Sequence, residues 1–228
     1  MEILYHGSEK IIEKPIFGSG NTHNDYGLGF YCTQNSELAK EWACKTQNGG
    51  YANKYSIDTS SLAILNLSDS KYTILNWIAL LLNNRIFSTN SPIATDGKRY
   101  LIENFMPKTK DFDVIIGYRA DDSYFSFAQD FLNNTISIKQ LNRAMKLGNL
   151  GEQFVLISKK AFDLLSFENY EIADGKSYFS QREKRDMQAR EAYLKHERNL
   201  VNKDDIFLID ILRKELKQDD ESLQRILS

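Results

Sequence analysis

The stretch that most constrains this chain runs from Asn24 to Ala43. It reads Asn-Asp-Tyr-Gly-Leu-Gly-Phe-Tyr-Cys-Thr and then Gln-Asn-Ser-Glu-Leu-Ala-Lys-Glu-Trp-Ala. Gly27 and Gly29 free the backbone for a tight approach, and Phe30, Tyr31 and Cys32 read as a short strand. Asn35 or Ser36 can cap a helix in which Leu38, Ala39, Trp42 and Ala43 recur at helical spacing, and Asn48-Gly49-Gly50 stops it. A strand and a helix meeting at a glycine loop, with aromatics from both, suit a flat ring bound between them. Upstream, Leu4-Tyr5-His6-Gly7-Ser8 reads as a second strand with histidine and glycine at its end.

The formal charge of −2 over 228 residues gives no global basic field to recruit nucleic acid, although local basic surface stays open. The two cysteines, Cys32 and Cys44, cannot build a disulfide framework and fit a reducing compartment. The N-terminal residues lack the basic start and apolar core of a signal peptide. The most apolar run, Ile74 to Leu82, is interrupted by Asn76 and is too short to span a bilayer. A cytoplasmic protein with no membrane partner is expected.

Residues 2–6 alternate as a strand, and 9–24 read as a loop holding Pro15 and Gly18-Ser-Gly20-Asn. Strands are expected over Tyr51–Asp58 and Leu62–Leu67, a buried helix over Thr73–Phe87 and a shorter one over Tyr100–Met106. Asp113–Tyr118 is apolar on both sides and reads as a central strand. A polar loop from Arg119 leads to a helix over Phe125–Leu132. Ser137 and Gln140 form a capping box for a helix through Leu147, ended by Gly148. Gln153–Ile157 is the next strand, Ser158 caps a short helix carrying Ala161 to Leu165, and Tyr170–Ile172 is a last strand.

Beyond Gly175 the composition shifts. Lys176 to Arg198 holds seven Lys/Arg against four acids, which favours a solvated helix over a nucleic-acid contact. Ile206, Leu208, Ile209, Leu212 and Leu216 then form an apolar stripe suited to the core or to a partner. Strands mixed with helices without regular alternation argue α+β, with residues 1–174 as the main domain and 175–228 as a helical extension packed on it. A Rossmann reading fails, because His23 follows Gly18-x-Gly20-x-x where glycine is required.

His6-Gly7 and the Gly-Leu-Gly-Phe-Tyr31 strand together resemble the ADP-ribosyltransferase superfamily. The similarity is to the branch holding diphtheria toxin and the poly(ADP-ribose) polymerases, which uses a histidine, tyrosine and glutamate triad. Trp42 falls eleven residues after Tyr31, where the polymerases place a second aromatic. More narrowly, the chain looks like a bacterial family of unknown function in that clan, over roughly residues 2–170. The resemblance implies split antiparallel sheets with peripheral helices and NAD as the ADP-ribose donor.

It further implies that His6 bonds the adenine-side ribose, that the Gly7 backbone holds the nicotinamide amide and that Tyr31 and Trp42 sandwich the ring. Gly29, Phe30, Asp25 and Tyr26 would shape the same loop. Breaking the bond between nicotinamide and ribose passes through an oxocarbenium-like transition state, which a carboxylate stabilises. The family's glutamate begins a late strand, here Gly151-Glu152-Gln153-Phe154. Gln153 falls at the glutamate position with Glu152 one step earlier, and adjacent strand residues face opposite sides. A bulge at Gly151 would let the pair act together, one on the ribose and one toward the acceptor.

Arg119 and Asp121 follow a central strand and are candidates to position an acceptor or an NAD phosphate. Taken singly, His6 at a strand end reads as structural, and Tyr31 and Trp42 as core; their joint spacing is what points to a site. Cys32, Cys44, His6 and His23 match no zinc spacing, so no metal is expected. The resemblance implies an NAD-dependent mono-ADP-ribosyltransferase acting on a protein or nucleic-acid acceptor, as a toxin or phage-defence effector with a possible antitoxin. The rivals are an NAD glycohydrolase and an inactive module that binds NAD or a partner.

Overall fold

In this computed structural model the residues described are 1–120, 122–147 and 151–223. The chain opens with β1 (Glu2–Ser8), crosses the loop 9–29, and enters β2 (Phe30–Cys32) and α1 (Ser36–Ala43). The Asn35 side chain accepts hydrogen bonds from the Glu37 and Leu38 amides, so Asn35 and not Ser36 caps α1. β3 (Gly50–Ile57) and β4 (Ile64–Asn66) follow, then α2 (Ile74–Asn84), whose Thr73–Asn76 capping box fixes its start.

The next helix, α3 (Pro92–Phe105), begins well before the expected Tyr100. Ser91 caps it and Pro92 sits at its first position, where its missing amide costs nothing. Gly97 lies inside it because a Cβ there would stand 2.4 Å from Leu208 Cδ2. β5 (Val114–Tyr118), α4 (Asp122–Leu132) and α5 (Ile138–Ala144) come next. The Ser137–Gln140 capping box forms, but α5 ends at Ala144, short of Leu147, and Gly148 lies outside the described residues.

β6 (Glu152–Leu156), α6 (Lys159–Asp163) and β7 (Leu165–Ala173) complete the sheets. β7 is longer than Tyr170–Ile172 because it pairs with β3 from Ala173 opposite Gly50 to Leu165 opposite Ile57. It is an edge strand with much of its length exposed, so it lacks the apolar alternation that marks a half-buried strand. The helices α7 (Gly175–Lys195) and α8 (Leu208–Lys214) follow.

The fold is mixed α+β with two sheets. One is β1-β3-β7, antiparallel throughout, and the other is β2-β6-β5-β4. The expectation of purely antiparallel sheets is corrected at one edge, where β4 and β5 run parallel. The crossover that parallel pairing requires is α2 and α3, which lie between them. β5 is internal, as its two-sided apolarity predicts.

The sheets meet where Tyr5 and Thr33 exchange backbone hydrogen bonds of 2.7 and 2.9 Å. A core of Leu4, Phe30, Tyr55, Ile57, Val114, Phe154 and Leu156 draws on both sheets. The larger core surrounds α2 and includes Trp77, Leu101, Phe127 and Phe131. Ile206, Leu208, Ile211 and Leu216 belong to it, so the segment after Gly175 is part of the packed body. Ile211 replaces the expected Ile209 and Leu212, which are only partly buried. Leu208 and Ile211, three residues apart, share the buried face of α8, and Glu215 caps the helix in a left-handed conformation (φ 50°) before Leu216. Among the described residues no helix is long and apolar enough to cross a membrane.

Candidate functional site

A cleft of about 990 Å³ opens where β1, β2 and α1 converge with the loop 9–29, the residues following β5 and one turn of α7. This is the upper end of the range for small-molecule sites and leaves room for a dinucleotide. His6, Gly7, Asp25, Gly29, Phe30, Tyr31, Trp42, Arg119 and Gln153 of the sequence-predicted set all line it.

His6 projects from β1, and its Nδ1–H donates to the Tyr31 main-chain carbonyl on β2 at 2.7 Å. That bond fixes the tautomer and leaves Nε2 as an acceptor. The ring stacks on Phe30 with centroids 4.3 Å apart. Burial holds the His6 pKa below the usual imidazole value; the bond to Tyr31 opposes this and the Lys45 charge adds to it. The imidazole is therefore neutral at pH 7, with one committed donor and one acceptor.

Gly27 adopts φ 76°, a left-handed conformation that suits glycine, and turns the chain back toward β2. The Tyr31 hydroxyl locks that turn, donating to the Gly27 carbonyl at 2.6 Å and accepting from the Tyr26 amide at 3.1 Å. Its hydroxyl is thus committed to the loop, while the residue lines the cleft. Tyr26, expected to shape this loop, bonds it through its amide. It is buried beneath the site and donates to the Tyr118 carbonyl at 2.6 Å, and it is not part of the cleft lining. Gly7 is required for a different reason: a Cβ there would stand 2.0 Å from the Ala39 carbonyl oxygen of α1.

Trp42, expected to sandwich a ring with Tyr31, carries Arg119 over its face. The guanidinium carbon lies 4.4 Å from the centroid of the Trp42 ring, a cation–π geometry. The Trp42 indole nitrogen is buried with no hydrogen-bond partner among the described residues. Arg119 thereby joins β5 to α1 across the cleft, and Asp121, the second candidate on that loop, lies outside the described residues.

Asp25 forms the floor. Its carboxylate pairs with Arg85 at 3.0 Å and accepts from the Ala120 amide at 2.9 Å and from Gln153 Nε2 at 3.4 Å. Burial pushes its pKa up, and these partners hold it down. Gln153 is 4% exposed, and its Oε1 has no hydrogen-bond partner among the described residues. Glu152 is separated from this group. It is exposed, is not part of the cleft lining, and accepts a hydrogen bond from the Ser68 hydroxyl. β6 pairs regularly with β5 from Leu156 opposite Val114 to Glu152 opposite Tyr118, so no bulge turns both side chains to one face.

The feature that sequence reasoning missed is charge. Lys10, Lys14, Lys45, Arg85, Arg119 and Arg182 line the cleft, and among the described residues Asp25 is the one carboxylate that lines it with them. Arg119 was singled out as a site residue and Arg182 only as part of a solvated basic helix, because the cations are scattered across separate loops and helices. Among the described residues no group of His, Cys, Asp and Glu is placed to hold a metal ion.

A family model described as a protein of unknown function (DUF3990) matches residues 2–167. No curated protein and no solved structure matches the chain.

Proposed function

The chain belongs to the DUF3990 family, and we propose that it is an NAD-dependent mono-ADP-ribosyltransferase acting on a macromolecular acceptor. The observation that carries this reading is the neutral His6, tied through Nδ1 to Tyr31 with Nε2 left to accept, inside a cleft rich in cations. A dinucleotide presents ribose hydroxyls that donate, an aromatic ring and an anionic pyrophosphate. The cleft offers an acceptor, aromatic residues and cations in turn.

In this reading the His6 Nε2 accepts from a ribose hydroxyl and the Gly7 backbone meets the nicotinamide carboxamide. Tyr31 flanks the ring, and Arg119, stacked on Trp42, reaches the pyrophosphate. The bond from ribose C1′ to the nicotinamide nitrogen breaks and its electron pair leaves with nicotinamide. The acceptor nucleophile then bonds C1′ and releases its proton. Asp25 is the cleft carboxylate able to offset positive charge at C1′, and Gln153 is its neutral partner for ribose hydroxyls. A toxin or phage-defence role, held in check by an antitoxin, suits an enzyme that consumes NAD to modify a macromolecule.

A second reading is an NAD-binding module without turnover. It is favoured by Gln153, which carries no charge, and by the Arg85 pair that offsets the Asp25 carboxylate. Incubation with adenylate-labelled NAD and separate protein, RNA and DNA pools decides between them. Label fixed in one pool and lost in His6→Ala supports transfer. Free ADP-ribose without acceptor indicates an NAD glycohydrolase. Intact NAD despite measurable binding leaves the binding module.

A further inference from the structure

We propose that the acceptor is a single-stranded nucleic acid, held by the cleft cations that a dinucleotide leaves over; this rests on the reading of the cleft as an NAD site. The cations outnumber what a dinucleotide needs. Six line the cleft, Arg85 is spent on Asp25, and Arg119 lies over Trp42. Lys10, Lys14, Lys45 and Arg182 remain, and none of the four pairs with a carboxylate among the described residues. A pyrophosphate brings two negative charges, so a surplus of this size points to a second polyanion.

The surplus is built by alternation. Lys10, Ile12 and Lys14 line the cleft, whereas the intervening Ile11 and Glu13, and Glu9 before them, do not. The loop is held in that register by β3. The Asn53 side chain accepts from the Ile12 amide at 2.9 Å and donates to the Lys10 carbonyl at 3.2 Å, and the Tyr55 hydroxyl donates to the Ile12 carbonyl. Two basic side chains thus line the cleft while the acids next to them in sequence, Glu9 and Glu13, are kept out of it. Arg182 supplies the facing cation from α7. The neighbouring Arg185 is instead taken up by the buried Glu41 at 2.5 Å.

The same loop exposes apolar surface at the rim. Ile16 is 71% and Phe17 50% exposed, and Phe17 is braced edge-on by Phe162 at 5.4 Å. A basic groove beside an exposed aromatic is the arrangement that tracks a phosphodiester backbone and stacks an unpaired base. A duplex keeps its bases stacked on one another and offers none to such a platform. A protein acceptor would need acidic surface here, and nothing in the apolar rim selects for one.

The test is fluorescence anisotropy of labelled oligo-U and oligo-dT of about 16 nucleotides, near the upper site size for such grooves. NAD binding is titrated calorimetrically on the same preparations. Four phosphate contacts at about 0.7 each predict a salt slope near −3, so affinity falls about 50-fold between about 50 and 200 mM salt. Lys10→Glu combined with Lys14→Glu, both exposed, is expected to weaken binding at least tenfold and to reduce the slope by about 1.4. Phe17→Ala is expected to weaken binding about tenfold with the slope unchanged.

NAD binding without oligomer binding, or label from NAD fixed only in protein, overturns the proposal and leaves the proposed activity standing. An unchanged slope in the double lysine variant also overturns it. Salt-dependent oligomer binding without NAD binding keeps the rim and removes the NAD reading. Preference between oligo-U and oligo-dT names RNA or DNA as the acceptor.

Discussion

The His6 Nδ1–H donates to the main-chain carbonyl of Tyr31 across 2.7 Å, so one hydrogen bond ties the first sheet to the second at the cleft. The bond also sets which ring nitrogen is left for a ligand. His6 therefore has a stability signature and a binding signature that can be measured separately.

Burial keeps the His6 pKa below the usual imidazole value near 6.5, whereas the unfolded chain titrates at that value. Below about pH 6.5 the unfolded state binds the proton first. The contribution of His6 is then complete above pH 6.5 and is lost as pH falls through the lowered value. Urea midpoints are expected to decline between pH 7 and 5 in the wild type and to decline less in His6→Gln. Parallel declines in the two proteins would contradict a neutral buried imidazole.

Removing the ligand acceptor has its own readout. His6→Ala is expected to weaken NAD binding about 10-fold or more, the scale of one well-placed hydrogen bond to a ligand. Isothermal titration at pH 7.5 checks this, where the wild-type ring is neutral.

Tyr31→Phe keeps the ring and deletes the hydroxyl that joins the Gly27 carbonyl to the Tyr26 amide. Leaving those groups unpaired in a part-buried turn is expected to cost about 1–3 kcal/mol. Urea unfolding measures it. An unchanged midpoint would mean that the hydroxyl does not lock the loop.

Gly7→Ala forces a Cβ to 2.0 Å from the Ala39 carbonyl oxygen and 2.8 Å from the Ala43 nitrogen. Both are backbone atoms of α1 or its close neighbourhood, so the helix must move and carry Trp42 with it. A loss of about 3 kcal/mol in stability is expected, together with weaker NAD binding in the fraction that folds. Near-wild-type behaviour in both would show that α1 is not seated through Gly7.

Gln153→Ala deletes a cleft-lining amide that donates to Asp25, whereas Glu152→Ala removes an exposed carboxylate bonded to Ser68. The geometry expects the larger fall in labelling from Gln153→Ala, about tenfold against twofold or less. The reverse order would restore Glu152 to the chemistry and require β6 to rearrange on binding.

Much of the local architecture was readable in advance. Asn35, Ser137 and Ser158 cap the helices that follow them because a short side-chain oxygen satisfies amides within its own first turn. The strand at Val114–Tyr118 declared its internal place through apolar residues on both faces. The glycine loop before Phe30 and the pairing of histidine with glycine in the first strand marked the cleft. All of these depend on neighbours a few residues apart, which is the range over which residue pattern carries information.

Pairings between distant segments were decided in three dimensions. The parallel edge of β4 and β5, the full length of β7 and the early start of α3 depend on partners many residues away. Packing turned Gln153 into the cleft and Glu152 away from it, through the register of β6 on β5. The basic cleft arose in the same way: cations from five separate segments converge while Asn53 and Tyr55 hold one loop in place. A net charge of −2 gave no hint of it. Composition sums charges over the chain, and only folding determines which of them share a field.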